Sequence, residues 1–283
     1  MTQDLLDNSR DWNDDAGPRW ARHADALDRQ LSPFSRRIID DAGIQSGDQI
    51  LDVGCGACGM SLELEGLVGP TGQVTGIDLS RPLLAVARDR AASTGATLSL
   101  VDDDAETHRF ATQSFDFCVS RFGWMFFQDT CAALVNLREG LKPGGRIRFV
   151  CWGPREANPW ITTPFEAVAE IVELSPPEIS DQPGPFRFGE GERARQMAEA
   201  ARFVDVELVP LKGRLQIGGT SQRDGFVNFA MEIGPAARAL KDASSSTRDR
   251  IERRLRDLFT ELHDADGVRL GYSAWLLTAR NPE

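Results

Sequence analysis

The sequence predicts an α/β protein built on a doubly wound, parallel sheet. Three observations carry this expectation. Short apolar runs alternate with helical segments from residue 49 to residue 152, the pattern of βαβ units. The first run, Ile50-Leu51-Asp52-Val53, leads directly into Gly54-Cys55-Gly56-Ala57-Cys58-Gly59, with glycines at G-x-G-x-x-G spacing. The next run leads into Gly76-Ile77-Asp78-Leu79-Ser80, which places a carboxylate at the end of that predicted strand.

Taken in order, the elements are as follows. Trp20, His23, Leu27 and Leu31 recur at three- and four-residue steps and predict a helical face. Ser32-Pro33 is expected to start a second helix that runs through Ile38 and Ile39 to about Ala42. Strand 49–53 precedes the glycine loop, and a helix is expected over 60–67, with its N-terminal amides aimed above the loop. Strand 72–77 and a helix opened by Arg81-Pro82 and stopped at Gly95 come next, then strand 97–101 and the acidic turn Asp102-Asp103-Asp104-Ala105-Glu106. Strand 115–120 runs into the apolar stretch Phe122-Gly123-Trp124-Met125-Phe126-Phe127, which must be covered. A helix at 130–140 and the turn Lys142-Pro143-Gly144-Gly145 lead to strand 146–152. Farther on, helices are expected at 160–174, 190–201 and across 222–263 with a serine-rich break at 244–246. A loop is expected at 176–185, one long strand or a bent pair at 203–216, and a last strand at 272–279.

The glycine loop alone fits many nucleotide binders. Asp52 at the strand mouth narrows the choice, because an anion there repels a pyrophosphate and welcomes an ammonium or sulfonium. Asp78 can accept the protons of both ribose hydroxyls of a nucleoside. Together they fit S-adenosylmethionine (SAM) better than NAD.

The stretch 51–59, with Asp78, Asp104-Ala105, Phe115-Asp116-Phe117 and Leu141-Lys142-Pro143-Gly144-Gly145, resembles the motifs of class I SAM-dependent methyltransferases in their order. Among these it is most similar to the small-molecule group typified by the ubiquinone/menaquinone C-methyltransferases. Cys58 departs from the smaller or hydroxylated residue common at that position, while all the glycines are present. The resemblance implies a Rossmann-like, seven-stranded sheet, mostly parallel with the last strand antiparallel. It implies one methyltransferase domain over 1–283: a helical cap at 1–45, a SAM-binding core at 46–153, helical insertions at 154–202 and 220–266 lining the acceptor pocket, and terminal strands at 203–219 and 267–283. It further implies that Asp104 and Ala105 bind adenine and that the cap covers the site, with Trp20 either a flap or an anchor. Gly54, Gly56, Gly59, Asp78, Leu79 and Ser120 complete the expected cofactor set. Arg121, Phe122, Trp124, Met125 and Trp160 are expected to line the acceptor pocket, although Arg121 equally fits a structural ion pair. Asn158-Pro159-Trp160 resembles the amine-binding motif of DNA and protein-amide methyltransferases. It falls after the fifth strand, however, and reads as a turn opening a helix.

Methyl transfer to a phenol or an activated C–H needs a base; His23 and His108 are the candidates, and His263, late in a polar helix, is not. No metal site is apparent. Cys55 and Cys58 form C-x-x-C, but Asp52 opposes a redox thiolate there. Two other readings stay open: an NAD-dependent oxidoreductase using the same loop, and a SAM-binding module without catalysis.

The 283 residues carry 43 acidic against 32 basic side chains, net charge -11. That balance argues against a nucleic-acid partner and leaves a small-molecule acceptor. No signal peptide and no stretch of transmembrane length is visible, and an odd number of cysteines, five, suggests free thiols, so a cytoplasmic protein is expected. Nothing in the sequence sets the oligomeric state.

Overall fold

The computed structural model describes residues 11–174, 182–219, 221–233, 237, 240 and 243–283. A π-helical turn, Asp11–Asp15, precedes α1 (Ala16–Arg22) and α2 (Ala24–Ala42). Then follow β1 (Gln49–Val53), α3 (Gly59–Val68), β2 (Gln73–Asp78), α4 (Arg81–Thr94), β3 (Leu98–Asp102), β4 (Phe115–Arg121), α5 (Thr130–Gly140) and β5 (Leu141–Trp152). The second half holds α6 (Pro159–Ala169), α7 (Glu192–Ala200), β6 (Val204–Gln216), α8 (Arg223–Glu232), α9 (Ser245–Leu262) and β7 (Arg269–Arg280).

The strands form one seven-stranded sheet in the order β3-β2-β1-β4-β5-β7-β6. The pairs β1–β2, β1–β4, β2–β3 and β4–β5 are parallel, and β7 alone runs antiparallel, between β5 and β6. This is the expected doubly wound, Rossmann-like sheet. The strand order reverses between β1 and β4, so the crevice outside their carboxyl ends is the topological switch point. The central strands are buried on both faces: Ile50, Leu51, Val53, Cys118 and Val119 are all sealed from solvent, as parallel strands under two helical layers must be.

Several elements differ from expectation for identifiable reasons. Ser32-Pro33 does not start a helix; α2 runs through it. Pro33 cannot bond the carbonyl of Arg29, one turn earlier, and the Ser32 hydroxyl donates to that carbonyl instead, at 3.0 Å. The uninterrupted helix lays Leu27, Leu31, Phe34 and Ile38 along one buried face, which packs on α3, β4 and β5. Full burial of Phe34 and Ile38 contributes about 1.5–3 kcal/mol each. Lys142-Pro143-Gly144-Gly145 is not a turn outside strand five but an irregularity within it, because pairing jumps from Phe115↔Leu141 to Phe117↔Arg146. Gly144 takes φ +77° there, in the left-handed region that costs glycine little. Residues 204–216 make a single strand, paired along its length to β7 with one irregularity near its start. The helix expected at 160–174 stops at Ala169. Ser244, in the expected serine-rich break, is the N-cap of α9 and accepts the Thr247 amide at 3.2 Å. Part of the expected Pro-rich loop, residues 176–181, lies outside the described residues.

Candidate functional site

The glycine loop rises from β1 and touches the loop after β4. Gly54 has φ +67°, and a Cβ there would stand 2.6 Å from Gly123 Cα. The reverse holds too: a Cβ on Gly123 would stand 2.7 Å from the Val53 carbonyl oxygen. Two bare α-carbons therefore let the two loops meet over the switch point.

Asp78 stands at the tip of β2 beside this loop. One carboxylate oxygen accepts the Gly56 amide at 2.7 Å and the other the Ser80 amide at 2.8 Å. Burial raises its pKa, and the two amides counter that by favouring the anion. Each oxygen retains a further acceptor position. The N-terminal turn straps across the same tip: Asn13 Nδ2 donates to the Leu79 carbonyl at 3.0 Å, and Ser80 Oγ donates to the Trp12 carbonyl at 2.8 Å. Trp12 packs edge-on against Trp20 (5.4 Å) and Phe126 (5.6 Å), and both tryptophans pack on the buried group of Ala24, Ala57 and Leu83. Asp104 and Ala105 form the turn after β3; Asp104 accepts the Glu106 amide at 2.9 Å, and Ala105 is buried with its carbonyl on Asn136.

Asp52 is turned inward. It is buried and accepts the Ser61 hydroxyl at 2.6 Å. Burial pushes its pKa up to about 6, opposed by Ser61 and the positive charge of Arg121 and assisted by Asp78 and Asp28. The carboxylate that reaches the loop itself is Asp28, from α2. A Cβ on Gly59 would overlap it. Asp28 binds Arg121 Nη2 at 2.6 Å and Arg90 Nη1 at 2.7 Å, and Arg90 also donates to the Ala57 carbonyl at 2.8 Å. The second nitrogen of Arg121 donates to Ser35 Oγ at 2.9 Å. Arg121 therefore fills the structural role left open by the sequence: it ties the cap helix to the end of β4 rather than facing an acceptor.

Beyond β4 lies an aromatic cluster. Phe122 stacks on Trp152 at 3.9 Å, with 13° between the rings. Phe34 meets Phe122, Trp152 and Tyr272 edge-on at 4.8, 5.2 and 4.7 Å. Trp160 leans on Trp152 at 4.7 Å. Phe122 holds φ +69°, a conformation that costs an aromatic residue about 1–3 kcal/mol and that its bond to the Val150 carbonyl (3.1 Å) helps to retain. Asn158 sets Trp160: its oxygen accepts Trp160 Nε1 (3.1 Å) and the Ser273 amide (3.0 Å), while its amide donates to the Pro154 and Gly153 carbonyls. With all its groups engaged, Asn158 is the helix-opening turn residue the sequence suggested.

Four expected site residues are placed elsewhere. Ser120 is sealed, donating to the Val53 carbonyl (2.8 Å) and accepting the Trp124 amide (3.2 Å), so its hydroxyl clamps β1 to β4. Trp124 is core: it stacks on Phe188 at 4.2 Å and donates to the Val150 carbonyl. Met125 is core as well, its sulfur accepting the Trp152 amide and its carbonyl the Gly184 amide. His108 is paired with the exposed Asp103 at 2.8 Å and packs on Phe110, which in turn meets Phe115. His23 sits between the cap and α8, with Nε2 3.2 Å from Glu232 and its ring edge-on to Phe229. Cys55 and Cys58 are buried and free. The contact with Cys58 and burial raise the Cys55 pKa well above its ordinary value, which keeps it a thiol. Among the described residues no group of three His, Cys, Asp or Glu side chains is placed to hold a metal ion, and no helix is long and apolar enough to cross a membrane.

Asp28, Phe34 and Tyr272 were not singled out by the sequence. The signal for Phe34 was present, since it continues the Leu27–Leu31 period, but the assumed break at Pro33 interrupted it.

Comparison with known proteins agrees with this geometry. A family model described as a methyltransferase domain matches residues 50–145. The demethylmenaquinone methyltransferase of Staphylococcus aureus (strain JH9) is 30% identical over 196 residues, covering 65% of this chain and 79% of the relative. Among solved structures, the YcgJ protein of Bacillus subtilis superposes with TM-score 0.58 at 17% identity, covering 89% of this chain and 99% of that one. Phosphoethanolamine N-methyltransferase 2 of Haemonchus contortus, solved with phosphomonomethylethanolamine and S-adenosylhomocysteine, gives TM-score 0.53 at 20% identity, covering 88% and 52%. The chain belongs to the class I SAM-dependent, small-molecule methyltransferases.

Proposed function

We propose that this enzyme methylates a small aromatic or apolar acceptor bound against Phe34, Phe122, Trp152, Trp160 and Tyr272. The observation that carries this reading is the cluster's position at the carboxyl ends of β4 and β5, beside the crevice. Aromatic walls of this kind take up flat apolar ligands. The name of the S. aureus relative, with its quinone-type acceptor, points the same way.

The residues present suit SAM. The bare α-carbons at Gly54 and Gly123 leave room against the backbone, and Asp78 keeps acceptor capacity for a ribose. In this reading Asp78 takes the ribose hydroxyls, Asp104 and Ala105 the adenine edge, with Leu79 and Trp20 beside them. Asp52 supplies the negative charge for the cationic amino-acid end near Gly56 and Gly59. Bound SAM supplies a methyl already activated by a positive sulfur. The protein's work is to align the acceptor with it and to exclude water. Where the acceptor arrives protonated, His23, polarised by Glu232, is the candidate to take the proton. The five cysteines, all free, support a cytoplasmic setting.

The test is SAM-dependent methylation of a panel of phenols, quinols and amines, read by mass. A methyl mass increment confined to phenols or quinols is expected. Methylation of amines alone would overturn the reading.

A further inference from the structure

Gln30 lies on α2 with only 2% of its surface exposed. Its Oε1 accepts the Gly218 amide at 2.8 Å. That bond fixes the side chain's orientation, because the atom facing an N–H must be the oxygen. Nε2 therefore points away from Gly218 with two N–H donors, sealed from solvent and with no acceptor among the described residues. A buried donor left unmet carries its full desolvation penalty, so its retention asks for a partner.

The surroundings say what kind of partner. Gln30 is one helical turn before Phe34, on the same face, and Phe34 is the hub of the cluster with Phe122, Trp152 and Tyr272. On the other side, Gly218 abuts Phe229, which packs on His23. His23, at the N-cap of α2, and Gln30 and Phe34 on it thus follow one stripe facing the carboxyl ends of β5 and β6. An entering ring has to part this cluster, and the half-buried Trp160 and Tyr272 are the members with room to move.

The geometry points to Gln30 Nε2 as the donor that reads an oxygen on the acceptor, making it a specificity-determining residue for ring systems bearing a carbonyl or phenolic oxygen. The inference rests on the proposed aromatic acceptor and goes one step further, to the polar atom that the acceptor must carry.

The test uses 1-tetralone and tetralin, which differ by one carbonyl oxygen, titrated calorimetrically into the full-length protein saturated with S-adenosylhomocysteine. In Gln30→Met the affinity ratio of tetralone to tetralin is expected to fall about tenfold, with tetralin binding within about twofold of the native value. Should Gln30→Met fail to fold, side-chain amide NMR of the native protein carries the test: the Gln30 NH2 pair is expected to shift with tetralone and not with tetralin, and equal shifts overturn the assignment. An unchanged ratio in the folded variant overturns the assignment of Gln30. Failure of tetralin itself to bind the native protein overturns the aromatic-acceptor reading, and this inference with it.

Discussion

Replacing Asp28 by Asn changes one charge in the link between cap and crevice and leaves its shape unaltered, so the packing over Gly59 is kept. Asp28 serves two guanidinium groups, at 2.6 and 2.7 Å. The side chains retain 23% exposure at Asp28, 14% at Arg121 and 19% at Arg90. Breaking a fully buried pair costs about 3–5 kcal/mol. Here partial exposure screens the charges, Arg121 keeps Ser35, and Arg90 keeps Ala57 and Asp25. The expected loss is therefore about 2–3 kcal/mol, or a Tm lower by about 3–5 °C for a chain of this size. Asp25 is the internal control. It pairs with the same Arg90 but is 79% exposed, so Asp25→Asn should cost no more than about 1 kcal/mol. The assay is thermal and urea unfolding of both variants beside the native protein. Equal shifts in the two, or no loss in Asp28→Asn, would refute the argument that burial decides the value of these charges.

Other expectations follow from the same geometry. Burial raises the Asp52 pKa to about 6, above its unfolded value near 3.9. Between about pH 4 and 6 the folded state then holds the extra proton, and stability falls as pH rises through that window, by about 3 kcal/mol in full. Asp52→Asn should flatten this dependence in urea midpoints; an unchanged slope would contradict it. Asn158→Ala removes the acceptor of Ser273 and Trp160 and should cost about 2–4 kcal/mol in urea unfolding, with a raised acceptor KM as Trp160 loosens. His108→Ala should leave kcat within about twofold of native, since His108 is tied to the surface Asp103; a loss of about 100-fold would restore it as a catalytic base.

What could be read in the sequence was local. Gly54, Gly56, Gly59 and Asp78 lie within single strand-turn-helix units, and short apolar runs alternating with helical segments mark the parallel half of the sheet. What could not be read depends on which surfaces meet. Asp28 and Phe34 sit on a cap helix whose partners are about 60 to 240 residues away in the chain. The apolar run at 122–127 reads as a pocket wall until Phe188 and Gly184 are seen to cover Trp124 and Met125. Ser120 reads as a free hydroxyl until the Val53 carbonyl is placed beside it. Pro33 reads as a helix start because its repair by the neighbouring Ser32 hydroxyl is a three-dimensional event.

The central claim is that the tip of β2 holds the sugar of SAM. Calorimetric titration of SAM and of NADH into the native protein and Asp78→Ala tests it directly, with circular dichroism to verify the fold. Asp78→Ala frees the Gly56 and Ser80 amides, so affinities are compared only in variant protein whose spectrum matches the native one. SAM should bind the native protein and lose about 100-fold or more in affinity in the variant, in keeping with loss of charge-assisted bonds to two hydroxyls, while NADH binds neither. Undiminished SAM affinity in Asp78→Ala, or NADH binding in place of SAM, would contradict the account.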